Sequence, residues 1–121
     1  MNKNILKNVF TILFLFGGFY AFAQTTAEMN AIAEQLYADS DRELNLVYNQ
    51  IRTRYSNDPL LLQKLRNAQL IWIQFRDATI EACFPAEDKI GSYGSIWTSE
   101  MLGILTQLTR DRTRQLREFY L

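Results

Sequence analysis

The chain has 121 residues, with 13 Lys and Arg balancing 13 Asp and Glu, and 48% of its residues are aliphatic, aromatic or cysteine. That length predicts one domain, the apolar share excludes intrinsic disorder, and the balanced charge gives no footprint for a nucleic-acid partner. There is no histidine and a single cysteine, which excludes a Ser-His-Asp triad, a Cys-His pair, most zinc sites and any internal disulfide.

The first 23 residues have the pattern of an export leader. Lys3 and Lys7 form a basic start, Val9 to Phe16 is apolar apart from Thr11, and Gly17-Gly18 ends the run. Ala21 and Ala23 meet the small-residue rule for signal peptidase, so cleavage is expected after Ala23. An uncleaved anchor is the alternative, but the apolar stretch falls short of the roughly 20 residues that span a bilayer. Cleavage predicts a periplasmic or secreted mature domain, residues 24–121, with no membrane segment. Without Lys3 and Lys7 that domain keeps 11 of the 13 basic residues against 13 acidic ones, a net charge near −2.

The fold class predicted for it is all-α: an antiparallel bundle of three long helices, or four if the first breaks near Ser40. The first helix is expected over 26–55, because Met29, Ile32, Ala33, Leu36, Leu44, Val47, Tyr48, Ile51 and Tyr55 recur at spacings of three and four. Ser56-Asn57-Asp58-Pro59 is a turn, with Asp58 as cap and Pro59 opening the second helix, which Pro85 stops. The second stripe runs Leu62, Leu65, Trp72, Phe75, Ile80 and Cys83, with Cys83 expected to be buried. Ala86 to Ser95, with two glycines and two serines, is expected to be irregular exposed backbone. The third helix starts near 96–99 with a stripe of Met101, Ile104, Leu105, Leu108, Arg112, Leu116 and Phe119. Short connections between such helices imply antiparallel neighbours.

Polar residues interrupt these stripes: Asp41 and Asn45 on the first helix, Gln69 and Arg76 flanking Trp72 on the second, Thr109 and Arg112 on the third. Buried charges need partners, so an interhelical network is expected, in which Asp41 or Asp77 pairs with Arg76 or Arg112 and Asn45 bonds Gln69. Such a network either only fixes helix register or forms a polar pocket centred on Trp72. Arginines so close would hold Asp41 and Asp77 ionised, which argues against a tuned general acid. Arg110, Arg112, Arg114 and Arg117 form a basic cluster that suits a helix C-terminus or an anionic partner.

These residues also carry a family likeness. In order, the chain contains Glu28-Met29-Asn30, the run Asp41, Glu43, Leu44, Asn45 and Tyr48, the run Leu65, Arg66, Ala68, Gln69, Trp72, Arg76 and Asp77, then Gly91-Ser92, and Leu108, Thr109, Arg112 and Leu116. It resembles the LprI-like lysozyme inhibitor family of small exported bacterial proteins. The resemblance implies an envelope or secreted helical domain that inhibits host lysozyme by direct binding. The lack of histidine, of a nucleophile motif and of metal-ligand spacing points to a non-catalytic domain without cofactor or metal, with lysozyme or another envelope protein as the expected partner. The alternative is a periplasmic binding or envelope stress-response module. Many members are cysteine-rich, and Ile32, Ile80 and Ile104 stand where cysteines are common, which implies apolar contacts in place of staples. For a lysozyme inhibitor, Gly91, Ser92 and Tyr93 form the candidate projecting loop, with Tyr93 as aromatic anchor.

Overall fold

The computed structural model describes the backbone of residues 3–121 and the side chains of residues 25–121. The side chains of the expected leader and its cleavage position lie outside the described residues. All regular elements among the described residues are helices: α1 (Lys3–Arg54), α2 (Pro59–Cys83), the short α3 (Lys89–Tyr93) and α4 (Trp97–Tyr120). Among the residues whose side chains are described, 25–121, no helical stretch is long and apolar enough to cross a membrane.

The local chemistry of the α1–α2 turn is as expected. Asp58 accepts the Leu61 N–H at 2.9 Å and Pro59 occupies the first turn, where its missing donor is harmless. α1, however, is unbroken at Ser40. The Ser40 hydroxyl donates to the Tyr37 carbonyl at 2.8 Å, so it is satisfied within its own helix, and the residue is only 3% exposed.

The fourth helix comes instead from the segment expected to be irregular. α3 is braced at both ends. Asp58's role is repeated by Asp88, whose carboxylate accepts the Gly91 N–H at 2.9 Å, and Gly94 ends the turn at φ +76°. Lys89 ties the segment to the end of α2 through the Phe84 carbonyl and through Glu81 at 3.0 Å.

α1 packs chiefly against α4, and the two run parallel. Met29 and Ser99 share a groove at one end, Glu43 pairs with Arg117 at 2.8 Å, and Tyr55 meets Tyr120 edge-to-face at the other. α2 runs antiparallel to both: Gln69 bonds Arg112 of α4, Phe84 meets Trp97, and Arg76 reaches Tyr37 of α1. The core joins Leu44, Val47 and Ile51 of α1 to Leu65 of α2 and Leu116 of α4, with Tyr48, Tyr55, Trp72 and Tyr120 packed around it.

The buried face of α4 differs from its expected stripe. It follows Leu102, Thr106, Thr109, Thr113 and Leu116, alternating spacings of four and three, while Phe119 is 69% exposed. Thr106 and Thr113 donate to the carbonyls four residues earlier, so their hydroxyls need no cross-helix partner. Threonines on this seam let α4 lie close to α1, where larger apolar groups would hold it off.

Cys83, expected to be buried, is exposed at the end of α2. Of the three isoleucines expected to stand in for cysteines, Ile80 is buried, Ile104 is half-buried and Ile32 is 62% exposed.

Two outcomes follow. Ile51→Ala, which removes a fully buried side chain, lowers unfolding free energy by about 2–5 kcal/mol in chemical denaturation, while Phe119→Ala changes it by about 0.5 kcal/mol or less. A thiol reagent titrates Cys83 in the native protein at a rate unaffected by sub-denaturing urea; protection released only by unfolding would contradict the exposed placement.

Candidate functional site

A cleft opens where α2 stands off from α1. It encloses a hollow of about 190 Å³ lined by Asp41, Leu44, Asn45 and Tyr48 of α1 and by Arg66, Gln69, Leu70, Trp72, Ile73 and Arg76 of α2. Helical periodicity explains the convergence. Asp41, Asn45 and Tyr48 lie four and three residues apart, as do Gln69, Trp72 and Arg76, so each set lines one side of its helix.

The guanidinium of Arg76 lies over the Trp72 ring, 5.5 Å from its centroid, and is paired with Asp77 at 2.8 Å. It also donates to the Tyr37 hydroxyl at 3.5 Å. Asp77 is 61% exposed, so this pair is a solvated clasp between neighbours in sequence rather than a bridge between helices. Asn45 turns back on its own helix, donating to the Asp41 carbonyl at 3.0 Å and to its carboxylate at 3.4 Å. The expected Asn45–Gln69 bond is not formed: the Asn45 amide turns back on Asp41, and the Gln69 oxygen is taken by Arg112 of α4.

The Nε of Arg112 donates to the Gln69 side-chain oxygen at 3.0 Å, and a terminal nitrogen donates to Gln115 at 3.4 Å. Neither Asp41 nor Asp77 pairs with Arg112. Burial lowers the pKa of the Arg112 guanidinium, with an opposing contribution from Tyr120. Thr109 is fully buried and its hydroxyl has no hydrogen-bond partner, so it fills space in the α1–α4 seam and stays out of the polar network. Among the polar stripe residues, then, Asp41, Asn45, Tyr48, Gln69, Trp72 and Arg76 share the cleft, Arg112 supports it from behind, and Asp77 and Thr109 lie apart from it.

Gly91, Ser92 and Tyr93 form a separate place in the fold, within α3. Tyr93 does not project. Its ring packs on Phe84 with centroids 5.3 Å apart, and its hydroxyl accepts the Ala86 N–H at 3.0 Å. Gly91 is packed against the capping carboxylate: a Cβ there would stand 2.0 Å from Asp88 Oδ2. The exposed part of this motif is Gly91-Ser92, carried on a braced turn.

Sequence reasoning passed over Arg66 as a site residue, although it stands three residues before Gln69 in the same string. It also passed over an apolar groove of about 380 Å³ between α1 and α4, lined by Met29, Ile32 and Leu36 opposite Gly103, Thr106 and Arg110. No group of three or more Cys, Asp or Glu able to hold a metal occurs among the described residues.

The family described as lysozyme inhibitor LprI matches residues 21–116. An uncharacterized protein of Rhizobium meliloti (strain 1021) is 32% identical over 108 residues, covering 79% of this chain and 74% of its own length. No solved structure matches the chain.

The Gln69–Arg112 bond links α2 to α4 directly behind the cleft. A double-mutant cycle of Gln69→Ala and Arg112→Ala in thermal unfolding returns a coupling of about 1–2 kcal/mol. The parallel cycle of Asn45→Ala with Gln69→Ala returns a coupling of about zero, within the roughly 0.3–0.5 kcal/mol scatter of independent sites.

Proposed function

We propose that this chain, which belongs to the LprI lysozyme inhibitor family, is an exported, non-catalytic protein that binds lysozyme and slows it through the face that carries the α1–α2 cleft. The observation that carries this reading is convergence. Asp41, Asn45, Tyr48, Arg66, Gln69, Trp72 and Arg76 come from two separate stretches of the family likeness and close on one cleft. A purely structural network would be expected to point inward, yet Asp41, Asn45 and Arg66 stand at the rim, with Asn45 and Arg66 exposed.

Export is supported by the leader-like pattern of residues 1–23, after which the mature domain would begin at Gln24. The family match starts at residue 21, beside that boundary. Outside the cytoplasm, such a domain meets lysozyme in the periplasm or beyond the cell. The folded-back Tyr93 weakens the case for an inserted aromatic loop and moves the expected contact surface to the cleft, with Gly91-Ser92 as a secondary contact.

A second reading is a binding module for another envelope component. The cleft favours it as well, since a hollow lined by Trp72 and Tyr48 beside amide and guanidinium groups suits a small ligand.

The processed protein, added in molar excess to a lysozyme turnover assay, slows cell-wall hydrolysis, and the double substitution Asn45→Ala and Arg66→Ala weakens the effect at least tenfold while leaving the circular dichroism unchanged. Undiminished turnover at large excess would sink the lysozyme reading. Full inhibition by the double variant would move the contact surface away from the cleft.

A further inference from the structure

The cleft does not end at Tyr48. It continues into a second hollow of about 480 Å³, lined by Tyr48 and Arg52 of α1 and by Leu62, Gln63 and Arg66 of α2. Tyr48 and Arg66 border both hollows, so the two form one trough along the α1–α2 junction. Together they reach the roughly 300–1,000 Å³ of small-molecule sites.

The charge distribution of this trough is lopsided. Arg52 and Arg66 are both exposed, and neither makes a hydrogen bond or ion pair with any described residue. Arg110, on the α1–α4 groove, also lacks such a contact, whereas Arg42 pairs with Asp39, Arg76 with Asp77, Arg114 with Asp111 and Arg117 with Glu43. No acid lines the second hollow. Asp41, at the far end of the trough, is occupied by the Asn45 amide. Two unpaired guanidinium groups facing one hollow repel each other, and an anion between them removes that repulsion. Guanidinium forks match planar carboxylates with two parallel hydrogen bonds, which a lysine could not do.

The remainder of the trough is not suited to a bare inorganic anion. Tyr48 and Trp72 give aromatic surface, Leu44, Leu62 and Ile73 give apolar surface, and Asn45, Gln63 and Gln69 give amide groups. The oxygen of Gln69 is held by Arg112, which fixes its amide and leaves the nitrogen as a donor. An aromatic floor accepts the C–H face of a pyranose ring, and fixed amides bond hydroxyl and acetamido groups.

We propose that the trough binds a carboxylated amino sugar, with Arg52 and Arg66 gripping the carboxylate and the Tyr48–Trp72 surface taking the ring. The proposal rests on the reading of this cleft as a ligand-binding face; it does not require lysozyme to be the partner.

The test titrates the purified protein with N-acetylmuramic acid and, separately, with N-acetylglucosamine, the same ring without the carboxylate, followed by heteronuclear NMR. The acid is expected to bind at least tenfold more tightly, to shift the signals of Tyr48, Arg52 and Arg66, and to weaken as salt rises. Arg52→Gln with Arg66→Gln is expected to lose at least tenfold in affinity for the acid with an otherwise unchanged spectrum. Equal affinity for the two sugars, absence of binding by the acid, or undiminished binding by the double variant would overturn the proposal. So would a glutamate-rich peptide that outcompetes the sugar acid at equal concentration, which would assign the trough to an acidic protein segment. No lysozyme is present in the titration, so its outcome is separable from that of the turnover assay.

Discussion

The close approach of α1 and α4 governs the rest of the structure. Helices pack more closely where the side chains between them are small, and the chain buries four such residues: Ser40 on α1, and Thr106, Thr109 and Thr113 on α4. Buried hydroxyls are costly unless bonded. Three of these four donate to a carbonyl one turn back along their own helix, so none of those three needs a cross-helix partner. Leu44, Val47 and Ile51 then seal it against Leu116 and bring Leu65 of α2 into the same cluster.

With α1 and α4 so close, α2 has no equivalent small-residue face to offer α1. Its inward side carries Leu65, Gln69, Trp72 and Arg76, long groups that reach across a gap instead of closing it. Contact between α1 and α2 is therefore made by side-chain ends, as in the Arg76–Tyr37 bond, and the space between becomes the cleft. The Gln69–Arg112 bond anchors α2 on the opposite side, to α4, and holds the cleft from behind. A charged donor on a neutral amide serves here because Arg112 is only partly withdrawn from water. The lining of the cleft thus follows from the helix packing: the same difference in side-chain size that draws α4 inward leaves α2 outside.

A functional reading centred on this cleft differs from one centred on a projecting loop. In the 86–95 segment glycine and serine signal flexibility by composition, but Asp88, Lys89 and Tyr93 are each committed to fixed partners, so the segment is a braced corner between α2 and α4. Its aromatic residue closes over Phe84 and is not offered to a partner. The unengaged guanidinium groups of Arg52 and Arg66, by contrast, face a hollow that no acid lines.

Much of this was legible along the chain. Spacings of three and four located all three long helices, Asp58-Pro59 marked the turn between the first two, and the polar residues flanking Trp72 marked the face of α2 that lines the cleft. These are local properties, set by periodicity and capping, and need no knowledge of neighbours. The α4 seam was misread because its threonines look polar in sequence, and only contact with α1 makes their small volume matter more than their hydroxyls. The partner of Gln69 was equally out of reach: Asn45 and Arg112 are both chemically suitable, and the choice between them depends on which helix α2 approaches more closely. The sequence by itself determined which residues form helices and which faces those helices present. Tertiary packing alone decided which pair of helices would touch and which would stand apart, because that depends on the volumes of side chains far separated along the chain.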